Sequence, residues 1–116
     1  MLTVTLPWPD PDLSPNARVH WARKAKKVKA SRWVAFGRVT FRSEGAIMVP
    51  APKGLSVAYT FHPGTKRRRD LDNLIASTKA YTDGIAQALA VDDSTFRLSY
   101  AMGELTRPAQ VVVEIT

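Results

Sequence analysis

The stretch LSVAYTFHPGTKRRRDLDNLIASTKAYTDGIAQALAVDDS, residues 55–94, holds a strand, a basic loop, a helix and an acidic turn in that order. Its start, LSVAYTFH, is rich in β-branched and aromatic residues with apolar and polar positions alternating, the pattern of a half-buried strand. From about Asp72 to Leu89 the period changes to that of a helix. At about 100° per residue Leu74, Thr78, Tyr81, Ile85, Ala88 and Leu89 fall on one side as a core stripe. Asp72, Ala76, Lys79 and Asp83 fall on the other. The turn AVDDS closes the segment.

Three more strands are expected on either side of it: LTVTLPW from residue 2, TFRLSYAM from residue 95 and QVVVEIT from residue 110. The last two are joined by GELTRPA, whose Gly103 and Pro108 are turn signals, so they are expected to form an antiparallel hairpin. A proline-rich loop, PWPDPDLSPN, follows the first strand, and a long helix is expected from about Ala17 to Val39. Ser14 before Pro15 also has the form of an N-cap followed by proline at the first helical position. Residues 45–54, GAIMVPAPKG, read as a loop. The element order β-α-β-α-β-β predicts an α+β fold, a small mixed four-stranded sheet with two helices packed on one face. At 116 residues the chain is one domain, spanning 1–116.

Composition narrows the function. The content is 45% hydrophobic and 23% charged, as in globular proteins. With no cysteine, a disulfide framework and a thiolate zinc site are both excluded, and any metal must be held by oxygen or imidazole. The N-terminus lacks the form of a secretory signal, and no segment approaches the roughly 18 apolar residues of a membrane span. The expectation is a cytoplasmic protein without a membrane partner.

The net charge of +7 and the pI near 10.2 point to a polyanion, because clustered Lys and Arg bind phosphate chains by displacing condensed counterions. Nine of the seventeen basic residues lie in the first helical region, where no acid falls between Leu13 and Ser43. Five of the ten acids, Asp70, Asp72, Asp83, Asp92 and Asp93, fall within residues 70–93. Four cations, Lys66 and Arg67 to Arg69, stand directly before the first of them.

In an extended chain Asp70 and Asp72 point the same way. Joined by one of Asp92 and Asp93, they make an all-oxygen donor set of the kind that suits Mg²⁺, with Mn²⁺ as a substitute. Such a metal polarises a phosphodiester and supplies a nucleophilic water, and Lys79 would steady the developing charge. Each acid also has a plain structural use: Asp72 as a helix cap, Asp92 and Asp93 as turn residues, Asp83 as a solvated position. The large aromatics Trp21, Trp33 and Phe36 are expected in the core or at a dimer contact rather than as base-stacking platforms. His20 is left outside the chemistry.

LPWP at the N-terminus, SPNARVHW opening the first helical region, RRRDLDNL leading into the second and DDS after it together resemble the RusA-type Holliday-junction resolvases, small endodeoxyribonucleases of phages and prophages. The resemblance spans both ends of the chain, and RRRDLDNL with a downstream acid pair is its specific part. It implies a homodimer that uses Mg²⁺ to cut paired strands of a four-way DNA junction. The three essential aspartates of that family carry over to Asp70, Asp72 and Asp93, with Asp92 as the alternative third metal ligand. The family's catalytic lysine falls where this chain has Ala76. Lys79, seven residues after Asp72, would take its place one turn further on. The loop DPDL also departs from the more compact proline-rich pattern of the family.

The function expected on these grounds is a structure-selective endonuclease acting in the cytoplasm, that of the bacterial host if the chain is phage-encoded. Arg67, Arg68, Arg69, Lys24, Lys26, Lys27, Arg18 and Asn16 are the expected DNA contacts, which position DNA without reading its sequence. A catalytically inactive basic DNA-binding module of the same fold is the alternative, and an endonuclease acting mainly on forks and flaps is another.

Overall fold

The structure, a computed structural model, describes residues 2–42 and 54–116. It is α+β, with strands β1 (Leu2–Pro7), β2 (Ser56–His62), β3 (Arg97–Met102) and β4 (Gln110–Ile115), and helices α1 (Trp21–Arg42), α2 (Leu71–Ser77) and α3 (Lys79–Leu89). The mixed sheet has the order β1-β4-β2-β3. β4 pairs antiparallel with both β1 and β2, and β2 pairs parallel with β3.

One face of the sheet carries the core. Val4 and Leu6 of β1, Val57, Tyr59 and Phe61 of β2, and Val111, Val113 and Ile115 of β4 are buried there, as the two-residue period of a strand requires. They meet Ala35 and Val39 of α1 and Tyr81, Ile85 and Leu89 of α3. Both tyrosine hydroxyls in this layer are satisfied: Tyr59 Oη shares a hydrogen bond of 2.5 Å with Thr82 Oγ1, and Tyr81 Oη donates to the Pro7 carbonyl at 2.8 Å. Burying either hydroxyl alone would be costly.

The expected hairpin between the last two strands does not form. β4 lies between β1 and β2, on the far side of β2 from β3. The connection wraps around the end of β2 to get there: Gly103 N–H donates to Phe61 O at 2.8 Å and Thr106 N–H to Pro63 O at 3.0 Å. The Glu104 carbonyl also meets His62 Nδ1 at 2.9 Å. A strand with three valines in a row gains more from a central place than from an edge.

Helix limits differ from expectation in three places. α1 starts at Trp21, where His20 Nδ1 accepts the Ala22 N–H at 3.1 Å and so caps the helix. Ser14 ends a short 3₁₀ turn at Pro11–Leu13 instead of starting a helix, and Asp10 caps that turn by accepting the Asp12 N–H. The expected second helix is two helices meeting at Thr78. Ser77 Oγ donates to Asn73 O at 2.8 Å and Thr78 Oγ1 to Ile75 O at 2.7 Å, and hydroxyls bonded back to the preceding turn bend helices. The stripe Thr78, Tyr81, Ile85, Ala88 and Leu89 is buried as expected, with Leu74 half-buried.

Trp21 and Trp33 are not core residues; they are 76% and 54% exposed. Phe36 is half-buried with its ring edge-on to Trp33. The loop expected over 45–54 lies, apart from Gly54, outside the described residues. Among the described residues no helix is long and apolar enough to cross a membrane.

Candidate active site

The basic loop before α2 is built around one of its own arginines. Arg69 Nη1 donates to the carbonyls of Thr65 at 2.9 Å and Arg67 at 2.6 Å, while Nη2 donates to Thr65 Oγ1 at 2.9 Å. Its guanidinium lies 5.5 Å from the ring centre of Trp8, which packs edge-on to Phe61. Arg69 therefore ties the loop to the end of β1 through a cation–π contact. Arg67 and Arg68 are left exposed, free to meet a phosphate.

Asp70, next in sequence, caps α2: its Oδ1 accepts the Asp72 N–H at 2.9 Å. The cap reading weighed for Asp72 thus belongs to Asp70, and Asp72 stands exposed in the first turn. Trp8, Asp10, Arg67, Arg68 and Asp70 share the wall of an open cleft of about 360 Å³. Cations and two carboxylates, Asp10 and Asp70, thus line the same cleft.

The other acids gather around Lys79. Its Nζ donates to Asp83 Oδ1 at 2.8 Å and to Asp93 Oδ2 at 2.5 Å. The Asp83 carboxylate, then that of Asp93, holds the Lys79 ammonium well above the usual lysine range. Lys79 in turn holds the Asp93 carboxyl below the usual carboxylate range. Lys79 is therefore cationic at any physiological pH and suited to stabilise negative charge, not to accept a proton. The adjacent acids divide their roles: Asp92 Oδ1 accepts the Ser94 N–H at 2.9 Å and caps the 3₁₀ turn Asp93–Thr95, while Asp93 faces Lys79.

The bridge joins α3 to the turn that follows it, so two separate stretches of the sequence pattern meet at one lysine. Along the outer side of α2 and α3, Asp72, Ala76 and Lys79 are exposed and Asp83 is half-exposed, the polar stripe expected from the helical period. A second hollow of about 300 Å³ brings Lys24 of α1 beside Lys79 and Asp83.

By donor chemistry Asp70, Asp72 and Asp93 suit a hard divalent cation. Their positions are another matter. Among the described residues no group of three or more His, Cys, Asp or Glu comes together as a metal site, and Asp93 is engaged by Lys79.

The expected DNA contacts separate into two groups. Asn16, Arg18 and Lys26 are exposed. Lys27 instead pairs with Asp10 at 2.9 Å, as its neighbour Arg23 does with Asp12 at 2.8 Å. The inserted acids of DPDL thus clamp the proline-rich loop onto α1, a role that sequence spacing could not reveal because the partners lie in different elements. The part played by Asp83 was half visible, since its i to i+4 relation to Lys79 is a helical neighbour relation.

No family model matches the chain. It is 42% identical over 120 residues to an uncharacterized protein of Xylella fastidiosa (strain Temecula1 / ATCC 700964), a match covering 100% of this chain and 76% of that one. The chain belongs to the same family as that Xylella protein.

Proposed function

We propose that this protein is a structure-selective DNA endonuclease that resolves four-way junctions by paired incisions from a homodimer in the cytoplasm, as the RusA-type resemblance implies. The observation that carries the reading is the Lys79 bridge to Asp93, which sets the acidic turn against the start of α3. Exposed Arg67 and Arg68 beside Asp70 add phosphate-binding charge at the mouth of the same region. An acidic cluster alone would repel DNA; flanking cations offset that repulsion.

The roles follow from chemistry. Arg67, Arg68 and the exposed cations of α1 bind phosphates and orient the backbone. Lys79, fixed between two carboxylates, stabilises charge on the phosphoryl group. Asp70, Asp72 and Asp93 would hold Mg²⁺ or Mn²⁺, which when bound supplies an activated water and polarises the phosphodiester.

The test is incubation of purified protein with a labelled four-way junction, with and without Mg²⁺, for the wild type and Asp72→Asn. The expected result is Mg²⁺-dependent paired nicking by the wild type, and junction binding without nicking by the variant. Normal cutting by Asp72→Asn would remove the site assignment. A second reading, a basic DNA-binding module without cleavage, needs only the exposed cations Arg18, Lys26, Arg67 and Arg68; it expects retention of the junction by both proteins and products from neither. Competition with forks and flaps would show whether branched DNA in general is the substrate.

A further inference from the structure

Arg69 and Arg23 use their guanidinium groups in opposite ways. Both terminal nitrogens of Arg69 donate within its own loop, to Thr65 and Arg67, which leaves no fork for a phosphate. Arg23, in the first turn of α1, is held by its inner nitrogen instead: Nε donates to Asp12 Oδ2 at 2.8 Å. Among the described residues nothing accepts a hydrogen bond from its Nη1 or Nη2. The side chain of Arg23 is 65% exposed and that of Asp12 17%, so the carboxylate is the fixed member of the pair and the guanidinium the presented one. Asp12 is fixed by its turn: its N–H donates to Asp10 Oδ1, and the next residue, Leu13, is buried. Arg23 lies about 28 Å along α1 from Arg42, where the helix ends. One turn on from Arg23, Lys27 pairs with Asp10, and Asp10 also lines the cleft that holds Arg67 and Arg68.

We infer that Arg23 is a phosphate-binding residue preorganised by Asp12, which is its positioning residue: the carboxylate holds Nε so that Nη1 and Nη2 meet a phosphate of the DNA backbone as a two-pronged fork. The planar guanidinium matches two phosphate oxygens with two parallel N–H donors. An unheld arginine loses its rotamer freedom when it makes that contact. Asp12 imposes the order at folding, so less is lost on binding. The inference rests on the DNA reading of these cations and deepens it. It gives the acids of DPDL a part in binding a polyanion that their charge alone would repel. It also exchanges one arginine for another among the expected contacts, since Arg69 is spent on its loop and Arg23 is presented. Arg23, Lys27 and the Arg67–Arg68 pair then lie on either side of one loop, the 3₁₀ turn with its two acids.

The test is binding of a labelled four-way junction without Mg²⁺, where no cleavage is needed. Asp12→Ala raises the net charge by one, and the field alone would then tighten the complex. The inference expects the reverse, a loss of about two- to tenfold, because Arg23 must be ordered on binding instead of beforehand. Asp12→Glu, which keeps the carboxylate, should recover part of that loss. Arg23→Lys keeps the charge without the fork and should lose about as much as Asp12→Ala. The double-mutant cycle separates positioning from a general effect on the fold: once Arg23 is replaced by alanine, Asp12→Ala has nothing left to orient and should tighten binding through the field. Far-UV circular dichroism controls for folding, and Arg23→Lys, at an exposed position, carries the test if Asp12→Ala unfolds. Equal or tighter binding by folded Asp12→Ala, full affinity in Arg23→Lys, or the same loss from Asp12→Ala with and without Arg23 would each overturn the inference. So would variants that lose binding to phosphatidylglycerol vesicles and keep it to the junction, which would assign the fork to a lipid phosphate. Cleavage is scored separately: a junction bound in the expected pattern but left uncut overturns the nuclease reading alone, and indifferent variants of a cutting enzyme overturn this inference alone.

Discussion

Gly84 of α3 lies directly against the backbone of Arg32 of α1: a β-carbon at position 84 would overlap the Arg32 carbonyl oxygen and stand 3.1 Å from the Ala35 β-carbon. The close approach of these helices therefore depends on the missing side chain. Alanine is the better helix former by about 1 kcal/mol, yet Gly84→Ala should destabilise the protein by about 1–3 kcal/mol, because backbone cannot yield as a side-chain tip can. Gly37 is also helical but has nothing within 4 Å of its would-be β-carbon. Gly37→Ala should stabilise by about 0.5–1 kcal/mol. Urea unfolding midpoints should move in opposite directions for the two.

Asp70 has a cap to make whatever else it does. Asparagine caps a helix as well as aspartate, so Asp70→Asn should change stability by only a few tenths of a kcal/mol, while Asp70→Ala should cost about 1 kcal/mol. On the endonuclease reading both lose cleavage. Full junction cleavage by Asp70→Asn would reduce Asp70 to a cap.

Lys79→Ala takes the cation away from both Asp83 and Asp93. The Asp93 carboxyl should return upward toward its ordinary value, which a carboxyl NMR titration reads directly. Junction cleavage should fall by about 10²–10³-fold with junction affinity little changed. Unaltered cleavage would remove Lys79 from the mechanism.

The clamp between Asp10 and Lys27 predicts a pH dependence. The Lys27 ammonium, with the Asp12 N–H, holds the Asp10 carboxyl below its ordinary 3.8. A carboxyl depressed in the folded state stabilises above its ordinary value, and that stability is lost as the pH falls through the folded value. Asp10→Asn, which can still cap the 3₁₀ turn, should be less stable than the wild type by about 0.2–1 kcal/mol at neutral pH. The two unfolding curves should converge once the pH is well below 3.8.

The arginine triplet should divide in two. Arg67→Ala and Arg68→Ala should leave thermal stability unchanged and each reduce the salt slope of junction binding by about 1. Arg69→Ala should lower the melting temperature, since it removes three hydrogen bonds and the contact with Trp8. Equal salt slopes and stabilities for all three variants would contradict this division.

Local pattern determined much of this protein. The alternation in LSVAYTFH and QVVVEIT marked two strands of the core, and the helical period placed Tyr81, Ile85 and Leu89 inside and Asp72, Lys79 and Asp83 outside. Those properties depend on neighbours within a turn or a strand, and spacing records them. The same neighbour logic put Asp70, Asp72 and the acid pair at element ends. What tertiary structure alone decided was which distant pieces meet. That β4 enters between β1 and β2 depends on a connection bonded around the end of β2, which turn residues such as Gly103 and Pro108 do not disclose. The break at Thr78 depends on two hydroxyls choosing backbone carbonyls over solvent. Among four adjacent cations and two adjacent acids, only the packed chain could assign Arg69 to its own loop and Asp93 to Lys79, because like residues side by side differ in nothing but the direction the fold gives them.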